Sequence, residues 1–275
     1  MLDALKRLFG TGDGEGADPL QPRRHVNLEK RFNVVAETAQ GSMSRVCRAY
    51  DTENDRVVCL KVQLKEKNEA AAARAGPATR LSEGEIGARI KHPNVAETYE
   101  FGETNKGERY IVLEFVDGLS LNAFGQMEKL SLADRMDLLA QAAEGLAAVH
   151  AHGFIHHDIA PKNFLVDRRR RRVKLIDFGL AVPNTDTFHK PGNRTGTMQY
   201  MAPELLRREP TDERIDIFSF GVVAFEFLTG RLPYEGGGNS MSQMIQRINQ
   251  DPCDPAKANP KLPEPICELL RRTLA

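Results

Sequence analysis

The stretch HHDIAPKN, residues 156–163, sets Asp158 and Asn163 five positions apart with Lys162 between them. Nineteen residues beyond Asp158, the tetrapeptide IDFG carries Asp177 just ahead of Gly179. That is a carboxylate on a sharp backbone turn, as a metal ligand needs. Upstream, VCLK at residues 58–61 places Lys61 in an apolar run, where an ammonium group needs an anionic partner. Two more phrases follow: GTMQYMAPE at residues 196–204 and DIFSFGVVAFEFLTGRLPY at residues 216–234. D-F-G alone is a weak signal. The phrases together, in this order and at these distances, are a strong one.

The elements that must position these groups divide into a β-rich part and a helical part. FNVVAE, RVCRAYD and RVVCLKVQL are short Val-rich runs broken by polar turns such as DTEND, which predicts an antiparallel meander. Residues 77–90 predict a helix from the recurrence of Leu81, Ile86 and Ile90. Gly84 and Gly87 lie inside it, at ~1 kcal/mol each relative to Ala, so packing must hold it. ETYEFGE and RYIVLEFV predict two more strands. LADRMDLLAQAAEGLAAVHAHG predicts a long amphipathic helix stopped at Gly153, and VKLID a strand ending at Asp177.

Composition bounds the rest. The 275 residues carry 38 basic and 38 acidic side chains, and 41% are apolar, enough for one large domain or two lobes. Zero net charge argues against a general polyanion binder, nucleic acid included. Cys47, Cys59, Cys253 and Cys267 show neither C-x-x-C nor metal spacing, which reads as reduced and intracellular. The longest apolar run, residues 215–228, contains Asp216, Ser219 and Glu226 and reads as a core helix, not a transmembrane span. No signal peptide is visible, so a cytoplasmic location is expected. MLDALKRLF reads as a frayed or docked terminal helix, the sharper alternative being weak peripheral membrane contact. The acidic, Gly-rich GTGDGEGADP after it reads as a flexible linker.

The motifs quoted resemble the eukaryotic-like (Hanks-type) protein kinase superfamily, and RVCRAYD, HPNV, GTMQYMAPE and LTGRLPY resemble bacterial serine/threonine protein kinases. The resemblance covers residues 29–275. It implies an α+β, two-lobed fold: an N-terminal tail over 1–28, an N-lobe over 29–115 and a C-lobe over 116–275. It implies ATP and Mg²⁺ as cofactors and protein Ser/Thr hydroxyls as acceptors. Lys61 would hold the α- and β-phosphates, paired with Glu83, or with Glu85 as the fallback. Asp158 would accept the acceptor hydroxyl proton, and Asn163 and Asp177 would ligate Mg²⁺ through oxygen. Ala39, Gly41, Ser44, Val46, Cys59, Leu113, Leu165 and the hinge residues Glu114 and Val116 would line the nucleotide pocket. Thr197 would contact the catalytic Asp and Lys, and it favours Ser/Thr over Tyr acceptors.

Several positions depart from that pattern. The phosphate loop AQGSMSRV keeps only Gly41 of the family's three glycines, with Ala39 and Ser44 in the other places, so weaker nucleotide binding is expected. His157 stands where Arg is usual, a non-RD arrangement that cannot make a bidentate phosphate pair, so activity independent of phosphorylation at Thr185, Thr187 or Thr195 is expected. Ala160 removes the usual Lys, and Lys162 would supply its charge; otherwise Lys162 is a solvent-facing loop residue. Gly87 and Thr98 fall where the family stacks apolar side chains, so a regulatory partner could be needed to seat the Glu83 helix. The family's last helix is expected to be missing, leaving Glu204 without its usual arginine. Arg168–Arg172 reads as a solvated turn or, alternatively, an anionic docking site for nucleic acid, lipid or an acidic tail. The runner-up function is a pseudokinase scaffold; phosphorylation of a small molecule is disfavoured by GTMQYMAPE.

Overall fold

The computed structural model describes residues 21–40, 44–63, 81–190, 195–234 and 250–275. The expected terminal helix, the linker, Gly41, and residues 77–80 of the expected helix lie outside these residues. A six-stranded sheet forms the upper part, in the order β1 (Arg23–Val26), β5 (Thr98–Thr104), β6 (Arg109–Glu114), β4 (Arg56–Gln63), β3 (Ser44–Asp51), β2 (Phe32–Gln40). The meander holds for β2, β3 and β4; β6 then pairs with β4, and β5 lies outside it. A strand absent from the sequence reading, β1, runs parallel to β5. The sheet thus begins at Arg23, within the residues read as a tail. Charged, turn-like RRHV lacks a strand pattern and is held from outside. The short helix α1 (Leu28–Arg31) ends in a buried arginine whose guanidinium clamps Asp51 at 2.8 and 2.9 Å and Glu100 at 2.8 Å.

Alternation sorts the central strand. Val58, Leu60 and Val62 are buried with Phe32, Ala49, Tyr110 and Val112, while Cys59 and Lys61 point to the opposite face. Each such side chain removed from water contributes about 1.5–3 kcal/mol. Helix α2 (Glu83–Arg89) covers that opposite face. It begins later than residue 77, because Ser82 and Glu85 form a capping box: the Ser82 side chain accepts from the Glu85 N–H, and the Ser82 N–H donates to Glu85 Oε2 at 2.7 Å. Its glycines are required by close approach. A Cβ on Gly84 would lie 2.5 Å from Phe101 Cβ, and one on Gly87 would overlap the Thr98 hydroxyl.

The lower part is mainly helical. After β7 (Gly118–Ser120) and α3 (Leu121–Met127) comes α4 (Leu132–Ala151), opened by a Ser131–Asp134 capping box. It stops as expected: the chain turns at Gly153, φ +77°. Strands β8 (Phe154–Ile155), β9 (Phe164–Asp167), β10 (Arg172–Leu175) and β11 (Val182–Pro183) follow. β9 and β10 form the expected hairpin, and β7 pairs with β9. The strand drawn from VKLID is shorter, ending at Leu175, so Ile176 and Asp177 lie past it. Helices α5 (Pro203–Arg207), α6 (Arg214–Thr229), α7 (Pro255–Ala258) and α8 (Glu264–Thr273) follow among the described residues of the lower part. α6 is buried on nearly every side, as its apolar run predicts, and no helix among the described residues is long and apolar enough to cross a membrane. The two parts meet at the back, where Asn94 Nδ2 donates to Val173 O and the Ala96 N–H to Leu175 O, both at 2.9 Å.

Candidate active site

Lys61 projects from the middle of β4 beneath α2. Its Nζ lies 2.7 Å from Glu83 Oε1 and 2.8 Å from Asp177 Oδ1. The fallback Glu85 is used as the helix cap instead. Burial would lower the Lys61 pKa, but the Glu83 and Asp177 carboxylates outweigh it and hold the pKa well above the ordinary range, so the group is a fixed cation. Burial raises Glu83, while Lys61 keeps Asp177 below the usual carboxylate range against its own burial. One ammonium faces two carboxylates here, an imbalance that a cation at Asp177 would correct.

Asp177 sits in the left-handed region, φ +67°, and its Oδ1 accepts the Gly179 N–H at 3.2 Å. The turn anticipated from D-F-G is therefore at the aspartate itself. Phe178 is buried, its ring 5.5 Å from that of His156.

The stretch 156–163 is held from below. Asp216, 1% exposed at the start of α6, accepts the N–H of His156 at 2.7 Å, the N–H of His157 at 2.9 Å and His150 Nε2 at 2.9 Å. His157 is thereby held at φ +65°. Asp158 Oδ1 accepts the Thr197 hydroxyl at 2.6 Å and the Thr197 N–H at 2.7 Å. That approach depends on Gly196, φ +115°, where a Cβ would lie 2.5 Å from His157 O. Asp158 Oδ2 accepts Asn163 Nδ2 at 3.1 Å and pairs with Lys162 Nζ at 2.9 Å. Burial would raise the Asp158 pKa; the Thr197 hydroxyl and the Lys162 ammonium outweigh it and depress it. Lys162 is thus both a largely exposed loop lysine and a partner of Asp158.

With Asn163 Nδ2 donating to Asp158 O and Oδ2, its amide oxygen is the atom left for a ligand. Asn163 Oδ1 and the Asp177 carboxylate are hard oxygen donors and fit Mg²⁺. Among the described residues no group of three or more His, Cys, Asp or Glu gathers to hold a metal unaided, which suits an ion that takes the rest of its oxygens from phosphates and water.

Cross-strand pairing arranges the remaining candidates. Val46 lies opposite Lys61, Leu113 opposite Cys59, and Ser44 opposite Gln63, so these residues share the face that carries Lys61. The Ala39 backbone pairs with Val46. Burial pushes the Cys59 thiol up to about 11, which makes it a packing group and not a nucleophile at neutral pH. Leu165 is half-buried on β9. Val116 follows β6 and its carbonyl accepts the Gly118 N–H at 3.0 Å. Glu114 does not offer its carboxylate to the cleft. That group takes Lys174 Nζ at 2.7 Å, and the Glu114 N–H donates to Glu97 O at 2.8 Å. The sequence reading passed over Asp216, His150 and Gly196, whose roles are to hold backbone. Asp216 did carry a signal, as a carboxylate at the head of a mostly apolar helix.

This fold, with a lysine–glutamate pair, a clamped aspartate and a D-F-G turn at its cleft, is that of one family. The chain belongs to the protein kinase domain family, whose model matches residues 32–275. It is similar to the serine/threonine-protein kinase PknA of Mycobacterium tuberculosis, 32% identical over 265 residues, covering 93% of this chain and 59% of that protein. It is also similar to the probable serine/threonine-protein kinase pknA2 of Bifidobacterium longum, at 29% identity, covering 82% of this chain and 30% of that protein. A third relative is the probable serine/threonine-protein kinase PknB of Lactococcus lactis, at 29% identity, covering 86% of this chain and 37% of that protein. The chain thus spans about a third to three-fifths of the length of these relatives.

Proposed function

We propose that this chain transfers the γ-phosphate of ATP to serine or threonine hydroxyls of protein substrates in a signalling role. The observation that carries this reading is the Asp158 carboxylate, fixed by Thr197, Asn163 and Lys162 on a loop whose Asn163 carbonyl accepts the N–H of Ile176, the neighbour of the Asp177 that pairs with Lys61. Asp158 orients the acceptor hydroxyl and takes its proton; its depressed pKa keeps it ionised for that task. Lys61 holds the α- and β-phosphates. Lys162, in hydrogen-bond range of Asp158, supplies positive charge where the transferred phosphoryl group lies. Asn163 Oδ1 and Asp177 would hold Mg²⁺, which when bound neutralises phosphate charge. Cys59, Leu113, Val46 and Leu165 enclose the adenine, with the backbone of Glu114 and Val116 at its edge. His157 in the usual Arg position supports a non-RD enzyme, active without phosphorylation of its activation segment.

The test is transfer of labelled γ-phosphate from Mg·ATP by the purified chain to itself and to a generic protein substrate, beside Asp158→Asn. Incorporation that disappears in the variant is the expected result. No incorporation, with nucleotide still raising the melting temperature, would replace this reading with a nucleotide-binding scaffold.

A further inference from the structure

The hairpin that joins Asn163 to Asp177 ends in five consecutive arginines, Arg168–Arg172. The fold explains its shape but not its composition. Asp167 Oδ1 accepts the N–H of Arg169 at 2.8 Å and of Arg170 at 3.0 Å, and Asp167 O accepts the Arg171 N–H at 2.8 Å. Gln141 of α4 grips the far side, its Nε2 donating to Arg171 O at 3.3 Å and its Oε1 accepting the Val173 N–H at 2.9 Å. The backbone of the turn is therefore tied down on both sides. Arg171 sits at φ +49°, a conformation that Gly or Asn would take with less strain. Its guanidinium pairs with Asp134 at 3.2 Å. Arg168, Arg169, Arg170 and Arg172 are all exposed, and among the described residues their side chains make no hydrogen bond or ion pair. Adjacent guanidinium groups repel one another, so the fold gains nothing from them.

We infer that this turn is a docking site for a short, densely anionic peptide segment of a partner or substrate protein. Arginine presents a planar fork of donors to carboxylates and phosphates, and a fixed turn spares the cost of ordering the patch on binding. A peptide fits better than a nucleic acid or a membrane. The patch is one turn long, the whole chain has no net charge, and Asp117, Asp134 and Asp167 border the turn and would repel an extended polyanion. The hairpin carries Asn163 at one base and Asp177 just past the other, so the docked segment is attached to the same element as the candidate metal ligands. Binding at the tip does not depend on phosphoryl transfer and is measured without it.

The experiment is a fluorescence-anisotropy titration of the whole chain with a labelled peptide of about a dozen residues rich in glutamate. Phosphoserine in place of some glutamates tells a preference for phosphate from one for carboxylate. The variant replaces Arg168, Arg169, Arg170 and Arg172 by Ser and keeps Arg171; a second variant replaces the same four by Lys. The expected result is salt-sensitive binding that weakens about tenfold or more in the Ser variant and is largely kept in the Lys variant, with nucleotide stabilisation unchanged in both. Should the fourfold Ser variant fail to fold, R169S and R170S singly each weaken binding severalfold. Equal affinity of wild type and Ser variants for the peptide, or no binding, overturns the assignment. So does tighter, arginine-dependent binding of a DNA duplex or of vesicles containing phosphatidylserine.

Discussion

Gly87 on α2 and Thr98 on β5 meet so closely that a methyl group on the glycine would overlap the threonine hydroxyl. Thr98 is 4% exposed, and its Oγ1 has no hydrogen-bond partner among the described residues. Phe178 closes the same contact at 3.6 Å from where that methyl would sit. The helix that delivers Glu83 to Lys61 is thus seated by the absence of a side chain. Close fit replaces apolar bulk at this position.

Enlarging Gly87 should therefore displace Glu83. Gly87→Ala is expected to destabilise the chain by about 1–3 kcal/mol and to lower phosphate transfer at subsaturating ATP. Thr98→Ala in the same chain should recover a large part of both losses. Thr98→Val alone should be neutral or stabilising in thermal melts, because it removes an unpaired buried hydroxyl at nearly constant volume. A double-mutant cycle in urea checks the coupling; strict additivity would show that the two residues do not constrain each other.

Removing Lys162 should separate catalysis from binding. Lys162→Ala is expected to lower kcat by about 10²-fold with little change in KM for ATP, and Lys162→Arg to retain a larger share of the activity. The acidic limb of the pH–kcat profile should move to higher pH in Lys162→Ala, since the ammonium is one of the groups depressing Asp158. A lysine that merely faced solvent would leave both readouts unchanged.

Acid should unlock the loop through Asp216. Burial would raise its pKa, but the bond from His150 and the positive field and N–H of His156 outweigh it, so the folded value lies below the unfolded one. Such a carboxylate stabilises the fold above its unfolded pKa, about 4, and that contribution is lost as pH falls through the lower folded value. The urea midpoint should therefore owe no change to this group between neutrality and about pH 5, and should drop below about pH 4. Asp216→Asn should cost about 1.5–3 kcal/mol at neutral pH and flatten the acid drop.

Thr195→Glu should leave the transfer rate within about twofold of wild type, as His157 gives an added negative charge no bidentate partner. Initial rates of the two proteins at equal Mg·ATP are the check. A large activation would refute the non-RD reading.

Much of the cleft was legible because its groups are spaced along the chain by elements of fixed length. Asp158, Asn163 and Asp177 are separated by one short turn and one hairpin, so their convergence could be read in one dimension. Lys61 was readable from the apolar strand that carries it, while its pairing with Glu83 rested on the family resemblance, with Glu85 as the fallback. What escaped the reading acts through space. β1 joins the sheet by pairing with β5 far along the chain, and Arg31 is buried by Asp51 and Glu100 from other strands. The glycines of α2 read as a weak helix until Phe101 and Thr98 are brought against them. Glu114 was read as a hinge residue, but that its carboxylate takes Lys174, sixty residues away, could not be read from the sequence.

That Glu114–Lys174 pair closes the rear of the cleft. Lys174 Nζ also reaches Val95 O at 3.4 Å, and residues 94–97 are bonded to β10 on one side and to Glu114 on the other. This strip precedes β5 in the chain yet is bonded to β10 of the lower part as well as to Glu114. One lysine side chain therefore ties β6, the strip and β10 together at the rear of the cleft, so the upper and lower parts share a single polar seam there.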